Sequence, residues 1–328
     1  MSLKERSEIL FIYHVKDANP NGDPLEANAP RTDPETGVAT VTDVRIKRWI
    51  RDYWHDRLKK EIWVQEDHNE EGYVLQGYER YVKLMKEAEK LEKLENLNQA
   101  VDHAKETWVD IRTFGCIMPT SIKSISKNGI KLDSKGKGYT ITLTGPVQFS
   151  GFNRSYHRIA PQMIQGTAAF ASKPKQMQRS LREDFIVPYA LIGAYGIVNE
   201  IAAKNTQMTE KDRVLVIEGL WNGCKDLISR SKFGHQPLLL LHIKYKDGYR
   251  IGDLASMIEL KSDLPDEKIR GLKDFELDAS VLHEKLFDNK DMISEIEIAK
   301  DSRLRIIKDD FSDKVHKQIK FTELKGLK

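Results

Sequence analysis

The 328-residue chain is poor in cysteine, modest in aromatics and without a long apolar run. Its two cysteines, Cys116 and Cys224, exclude a disulfide-framed scaffold and fit a reducing compartment. The least polar stretch, residues 186–203, is interrupted by Pro188, Gly193, Gly196, Asn199 and Glu200. A bilayer span needs about 20 predominantly apolar residues, so this stretch reads as buried interior and no membrane partner is expected. The N-terminal apolar segment is too short for a secretory leader and precedes no small-residue cleavage site, which makes a cytoplasmic protein the expectation. Asn153-Arg154-Ser155 matches a glycosylation acceptor, a reading that fails with that compartment. Catalytic and metal motifs are missing as well. The nine histidines form no His-Glu-x-x-His pair and no Cys–His cluster, so a zinc site lacks ligands in spacing. There is no nucleophile elbow and no Walker-type phosphate loop. No metal, cofactor or catalytic residue is expected.

What the sequence does hold is charge, unevenly placed. Lys and Arg number 53 against 50 Asp and Glu, a net charge of +3 that taken as a total argues for no partner. By region the balance breaks: residues 61–106 carry −6 and residues 107–182 carry +10. From 134 to 182 there is no Asp or Glu, where the chain average predicts about seven. A β-rich stretch disfavours acids. That does not account for Lys135, Lys137, Arg154, Arg158, Lys173, Lys175, Arg179 and Arg182. Cations without anions suit a polyanion, because each neutralised phosphate releases counterions. A nucleic acid is the leading candidate partner.

The patterning predicts a strand over residues 7–15, with Ile9, Phe11, Tyr13 and Val15 alternating. Residues 16–42, rich in Asn, Asp, Gly and Pro, form a long structured loop. Thr42 can cap a helix with Asp43 in its first turn. On that helix Ile46, Trp49, Ile50 and Tyr53 share the face to be buried, while Arg45, Lys47, Arg48 and Arg51 are expected on solvent. Residues 61–106 read as an acidic helical insertion, with Leu84, Ala88, Leu91 and Leu94 at helical spacing. Residues 139–149 alternate as a strand, and 151–182 read as an extended loop or hairpin projection. Strand 185–198, a helix from Thr209 to about 227 and a buried strand over 237–245 follow. From 246 on the chain is polar and mixed. Without insertions the order is strand, helix, strand, strand, helix, strand, the ferredoxin-like pattern that also underlies RNA-recognition modules. The expected class is α+β.

Individual motifs are weaker. Asp17-Ala18-Asn19-Pro20-Asn21-Gly22 opens like a calcium loop, but its twelfth position is Asn28 in place of the bidentate Glu. A rigid turn held by Asn and Asp side chains fits better, and it can present Arg31 to a phosphate. Arg112-Thr113-Phe114-Gly115 has a trace of the RNA-recognition signature without its downstream aromatics, which leaves Arg112 as a contact candidate. His157, between Tyr156 and Arg158, reads as a surface contact rather than a general base.

Several of these segments form an ordered string: Asn19-Pro20-Asn21-Gly22-Asp23-Pro24, Ala29-Pro30-Arg31-Thr32-Asp33 and Val41-Thr42-Asp43-Val44-Arg45-Ile46-Lys47-Arg48. Thr144-Gly145-Pro146-Val147-Gln148-Phe149, Asn153-Arg154-Ser155, Pro188-Tyr189-Ala190-Leu191-Ile192 and Arg230-Ser231-Lys232 follow in order. The string resembles the RNA-binding backbone subunit of the type I CRISPR Cascade complex, the subtype I-B branch above all, over about three quarters of the chain.

The resemblance implies an RNA-recognition-type palm over residues 1–60 and 107–250, with a thumb at about 151–182. It leaves 61–106 as the insertion and 251–328 as an extension packed on the palm. It implies binding of guide RNA (crRNA) phosphates without sequence preference and head-to-tail stacking of copies along that RNA. Target DNA pairs with the exposed bases, other Cascade subunits complete the complex, and a nuclease-helicase is recruited to it. The palm contacts would be Arg31, Arg45, Lys47, Arg48 and Arg51. Gln148, Phe149, Asn153 and Ser155 would sit at the groove, and Arg154, His157, Arg158, Lys173, Lys175 and Gln178 on or beside the thumb. Related type III backbone subunits cut RNA with an acid in the loop after the first strand, so Asp17, Asp23 or Asp33 keeps an endoribonuclease open. A single-copy adaptor is the third reading.

Overall fold

The computed structural model describes residues 3–126, 129–167, 181–307, 319–324 and 327. The fold is mixed α+β with a large antiparallel sheet, and it divides into two compact units. One comprises residues 5–50, 149–198 and 218–328; the other comprises 1–4, 51–148 and 199–217.

In the first unit the sheet is built from β1 (Arg6–Ala18), β2 (Val38–Thr42), β3 (Phe152–Arg158), β4 (Leu181–Val198), β5 (His235–Tyr245), β6 (Ile293–Lys300) and β7 (Lys320–Glu323). The strands run in the order β7-β6-β5-β1-β4-β3-β2. All neighbours are antiparallel except β6 and β7. Central β1 is apolar on both faces because both are covered. Phe11 and Tyr13 meet Trp49 of helix α1 (Asp43–Asp56) at ring distances of 6.4 and 5.5 Å, and Trp221 lies 6.5 Å from Phe11. Leu10 and Ile12 belong to a core completed by Leu254, Ile269, Phe275, Leu277, Leu282, Leu286 and Ile306. The polar segment after residue 246 therefore supplies a whole apolar layer. Its anchors come singly from short elements, so no apolar run marks them.

The projection expected over residues 151–182 is partly sheet. Phe152–Arg158 pairs with β2 and β4, and Gln162–Thr167 pairs with the first half of β4 as the two arms of a ribbon. Lys173, Lys175, Arg179 and Gln178 lie outside the described residues.

In the second unit α2 (Gly77–Glu87), α3 (Leu97–Thr107) and α4 (Val109–Phe114) enclose Trp63, Tyr81, Met85, Leu91, Trp108 and Ile111 together with Met118 and Ile141. The periodicity through Leu84, Ala88, Leu91 and Leu94 is not one helix. It stops at Glu87, Glu89 takes φ +51°, and a 3₁₀ turn at Leu91–Lys93 returns Leu91 and Leu94 to the core. Apolar spacing survives the break, so the pattern alone did not mark it. The strand expected over 139–149 likewise falls into Thr140–Thr144 and Val147–Phe149, split at Gly145-Pro146.

Candidate nucleic-acid interface

The loop between β1 and α1 is held by its own amide side chains. Asn21 Oδ1 accepts hydrogen bonds from the Thr42 N–H (2.9 Å) and hydroxyl (3.0 Å), and Thr42 Oγ1 accepts from the Arg45 N–H, capping α1. Asn19 Nδ2 donates to the Asn28 carbonyl at 2.7 Å. A Cβ at Gly22 would fall 1.9 Å from Asn28 Oδ1 and 2.9 Å from Asn28 O, so a larger residue there would displace Asn28. Asp23 accepts from the Leu25 N–H and pairs with Arg31 at 2.9 Å. Asp33 accepts from the Glu35 and Thr36 N–H groups, and these bonds hold its exposed carboxyl below the usual range. Among the described residues no three His, Cys, Asp or Glu side chains converge as a metal site.

A second segment, the turn before β5, meets this loop. The Asn19 N–H donates to Ser231 O, the Lys16 N–H to Gly234 O, and Lys232 Nζ to Asn19 O at 2.6 Å. Gly234 sits at φ +100°, and a Cβ on it would lie 2.2 Å from Lys16 O. His235 Nδ1 is 2.6 Å from Lys232 O, and its ring stacks on Tyr13 at 6.2 Å. Burial, with Arg45 adding to it, pushes the Lys232 ammonium down to about 7. Burial pushes His235 down to about 3, with Arg45 and Lys232 contributing. Arg31 and Arg45 are thus placed around one rigid loop, and Lys232 joins them from about 190 residues further along the chain.

The remaining expected contacts divide. On α1 the apolar face is buried as expected, but Lys47 and Arg51 are buried too. Lys47 pairs with Asp43 at 3.0 Å and Arg51 with Asp110 at 2.9 Å, so acid partners draw both cations in. Arg48 is half-buried. Arg112 is held in the second unit by both carboxylate oxygens of Asp212 (3.2 and 2.8 Å) and by the Lys105 carbonyl. Gln148 is exposed and donates to Gly145 O, while Phe149 is buried.

Along β3 the pleat separates roles. Asn153, Ser155 and His157 are buried brackets. Asn153 Nδ2 donates to Val41 O and Ser150 O, Ser155 Oγ accepts from the Ala39 N–H, and His157 Nε2 accepts from the Leu191 N–H. His157 is therefore an interior group, not a surface one. Arg154 and Arg158 are exposed, Arg158 with Glu267 at 3.7 Å.

The model of the family described as CRISPR-associated protein Cas7 matches residues 5–280. The chain belongs to the Cas7 family. A Cas7 protein of Haloferax volcanii is 29% identical over 315 residues, spanning 93% of this chain and 90% of that one. Two solved chains are also similar. One comes from a "CRISPR RNA-guided surveillance complex" (13% identity, TM-score 0.49, 96% of this chain and 94% of that one). The other comes from such a complex "pre-nicking" (11% identity, TM-score 0.48, 92% and 96%). In this Cas7-family chain, Lys232 and His235 stand against the first loop, and site reasoning from sequence passed over both. Arg230-Ser231-Lys232 stands in the recognisable string, but a single lysine in a polar segment gives no sign that the fold returns it to the first loop.

Proposed function

We propose that the chain is a backbone subunit of a Cascade complex that holds guide RNA by its phosphates without reading sequence. The observation that carries this is the loop–helix junction, which brings Arg45 and Lys232 to the loop that also bears Arg31, itself paired with Asp23. Phosphate contacts position a nucleic acid without sequence information, and cations on a rigid frame do this. The exposed Arg154 and Arg158 extend the cationic surface along β3, and the acid-free stretch that bears them continues through residues 168–180.

The order strand, helix, strand, strand, helix, strand, with β5-β1-β4-β3 adjacent and antiparallel, supports a palm of the RNA-recognition, ferredoxin-like kind. The ribbon at 162–167 supports a thumb. In this reading copies stack head to tail on the guide in the cytoplasm, bound bases pair with target DNA, and other Cascade subunits and a nuclease-helicase complete the assembly. The chain itself is not an enzyme in this reading: Asp23 and Asp33, acids of the first loop, are engaged in turn bonds.

Titration of the full chain with unrelated RNA sequences should give equal affinities that fall a hundredfold or more between about 50 and 200 mM salt. Affinity independent of salt would overturn the reading. Asp23→Asn and Asp33→Asn should leave target RNA uncut to the same extent as the unaltered chain; loss of a cleavage activity would instead favour the endoribonuclease.

A further inference from the structure

Lys232 is costly where it stands. The residue is half-buried, its ammonium donates to the single carbonyl of Asn19, and burial and the like-charged Arg45 both disfavour its charge. No carboxylate pairs with it among the described residues. A neutral amide could bond that carbonyl without the like-charge repulsion, so closing the loop does not explain a lysine. Three polar atoms nearby are buried and lack partners: the Tyr13 hydroxyl and His235 Nε2, which both feel the charge of Arg45, and the Trp49 indole N–H beside Tyr13. Tyr13 links them, stacked on His235 and edge-on to Trp49.

We propose that Arg45 and Lys232, from the head of α1 and the turn before β5, form a seat for one phosphodiester, fixed in place by the Asn19–Ser231 clasp. The inference rests on the guide-RNA reading and specifies which pair of cations defines a fixed phosphate position, against the more adaptable contacts of exposed arginines. An anion between the two cations relieves their repulsion and favours the charged amine. Filling the seat therefore draws a proton onto Lys232 wherever the free amine is partly neutral.

The other groups facing the site do not titrate between about pH 6 and 9. His235 and His14 are held neutral by burial, at about 3 and 4. Tyr13 and Cys224 are pushed up by burial, and a guanidinium stays charged. Lys232 is the residue whose charge changes in that window.

The test titrates the full chain with a labelled oligouridine of ~30 nucleotides, as a function of salt and pH. The unaltered chain should weaken up to tenfold per pH unit above about 7. Lys232→Gln should bind about tenfold more weakly at pH 6, with a salt slope lower by ~0.7 and no pH dependence. Lys232→Arg should keep the affinity and lose the pH dependence. A Lys232→Gln chain with unchanged affinity, slope and pH profile would overturn the seat while leaving salt-dependent RNA binding intact. Inorganic phosphate gives an arm independent of RNA: it should raise the Tm of the unaltered chain and not of Lys232→Gln, and an equal response in both would overturn the seat.

Discussion

Arg51 is a buried cation and Lys232 a half-buried one, and their surroundings are opposite. Arg51 Nε lies 2.9 Å from Asp110 Oδ2, its guanidinium sits 4.9 Å over the Phe114 ring, and Asp110 also accepts the Trp63 and Val64 N–H groups at 2.7 and 2.9 Å. Every charge there has its complement, and the carboxylate doubles as a fastener for the chain entering the insertion. Arg112 repeats the pattern on Asp212, which also binds the Thr209 N–H and hydroxyl. Lys232 has one carbonyl and a neighbouring guanidinium. A compensated cation holds a fold together, and an uncompensated one is available to an outside anion. Sequence composition gives the same weight to all three residues; the receptor built for each tells them apart.

The sharpest break is on the compensated side. Asp110→Ala leaves Arg51 buried without its counter-charge and two backbone N–H groups without an acceptor. A loss of about 3–5 kcal/mol is expected, read as a lower denaturant midpoint. If Asp110→Ala costs less than about 1 kcal/mol, Arg51 is not a structural cation and belongs with the interface after all.

Next in size is the turn that carries the uncompensated cation. Gly234→Ala forces a Cβ against Lys16 O at a backbone angle that side chains rarely adopt, and a cost of about 1–3 kcal/mol is expected. RNA affinity should fall with it, because the same turn aims Lys232. Affinity unchanged alongside lost stability would separate the turn from the interface.

Much of this is legible in the sequence. The α+β class follows from the order of strand and helix patterns along the chain, the apolar face of α1 is buried as its spacing predicts, and Thr42 caps that helix. Burial of Lys47 and Arg51 was hidden because the partner of one is four residues away on the same helix and that of the other is 59 away, on a segment read only for charge. Asn153, Ser155 and His157 belong to a motif that looked like a contact surface; pleating turns those alternate residues inward, and the intervening Arg154 and Arg158 outward. Lys232 was hidden for the opposite reason. Nothing local distinguishes it, and only the sheet order, with β5 beside β1, returns it to the loop that follows β1.

The smallest effect separates the two kinds of cation most cleanly, because it reads protonation in the absence of RNA. Burial pushes the Glu297 carboxyl up, but His242 and Lys244 outweigh it and hold the group down at about 2. That compensated cluster contributes stability above the ordinary carboxylate range and loses it as pH falls towards 2. Lys232 has the reverse sign. Its amine titrates at about 7 when folded and near the ordinary lysine value when unfolded, so between these the unfolded chain binds more protons and stability rises with pH. Lys232→Met should flatten the alkaline limb of a stability–pH curve and leave the acid limb untouched, while Glu297→Gln should weaken the acid limb alone. At pH 6, where the amine is charged, Lys232→Met should not lower stability, since it relieves desolvation and the repulsion from Arg45 against the loss of one carbonyl bond. A large loss at pH 6 would make Lys232 a fastener like Arg51, and the contrast between the two cations would then fail.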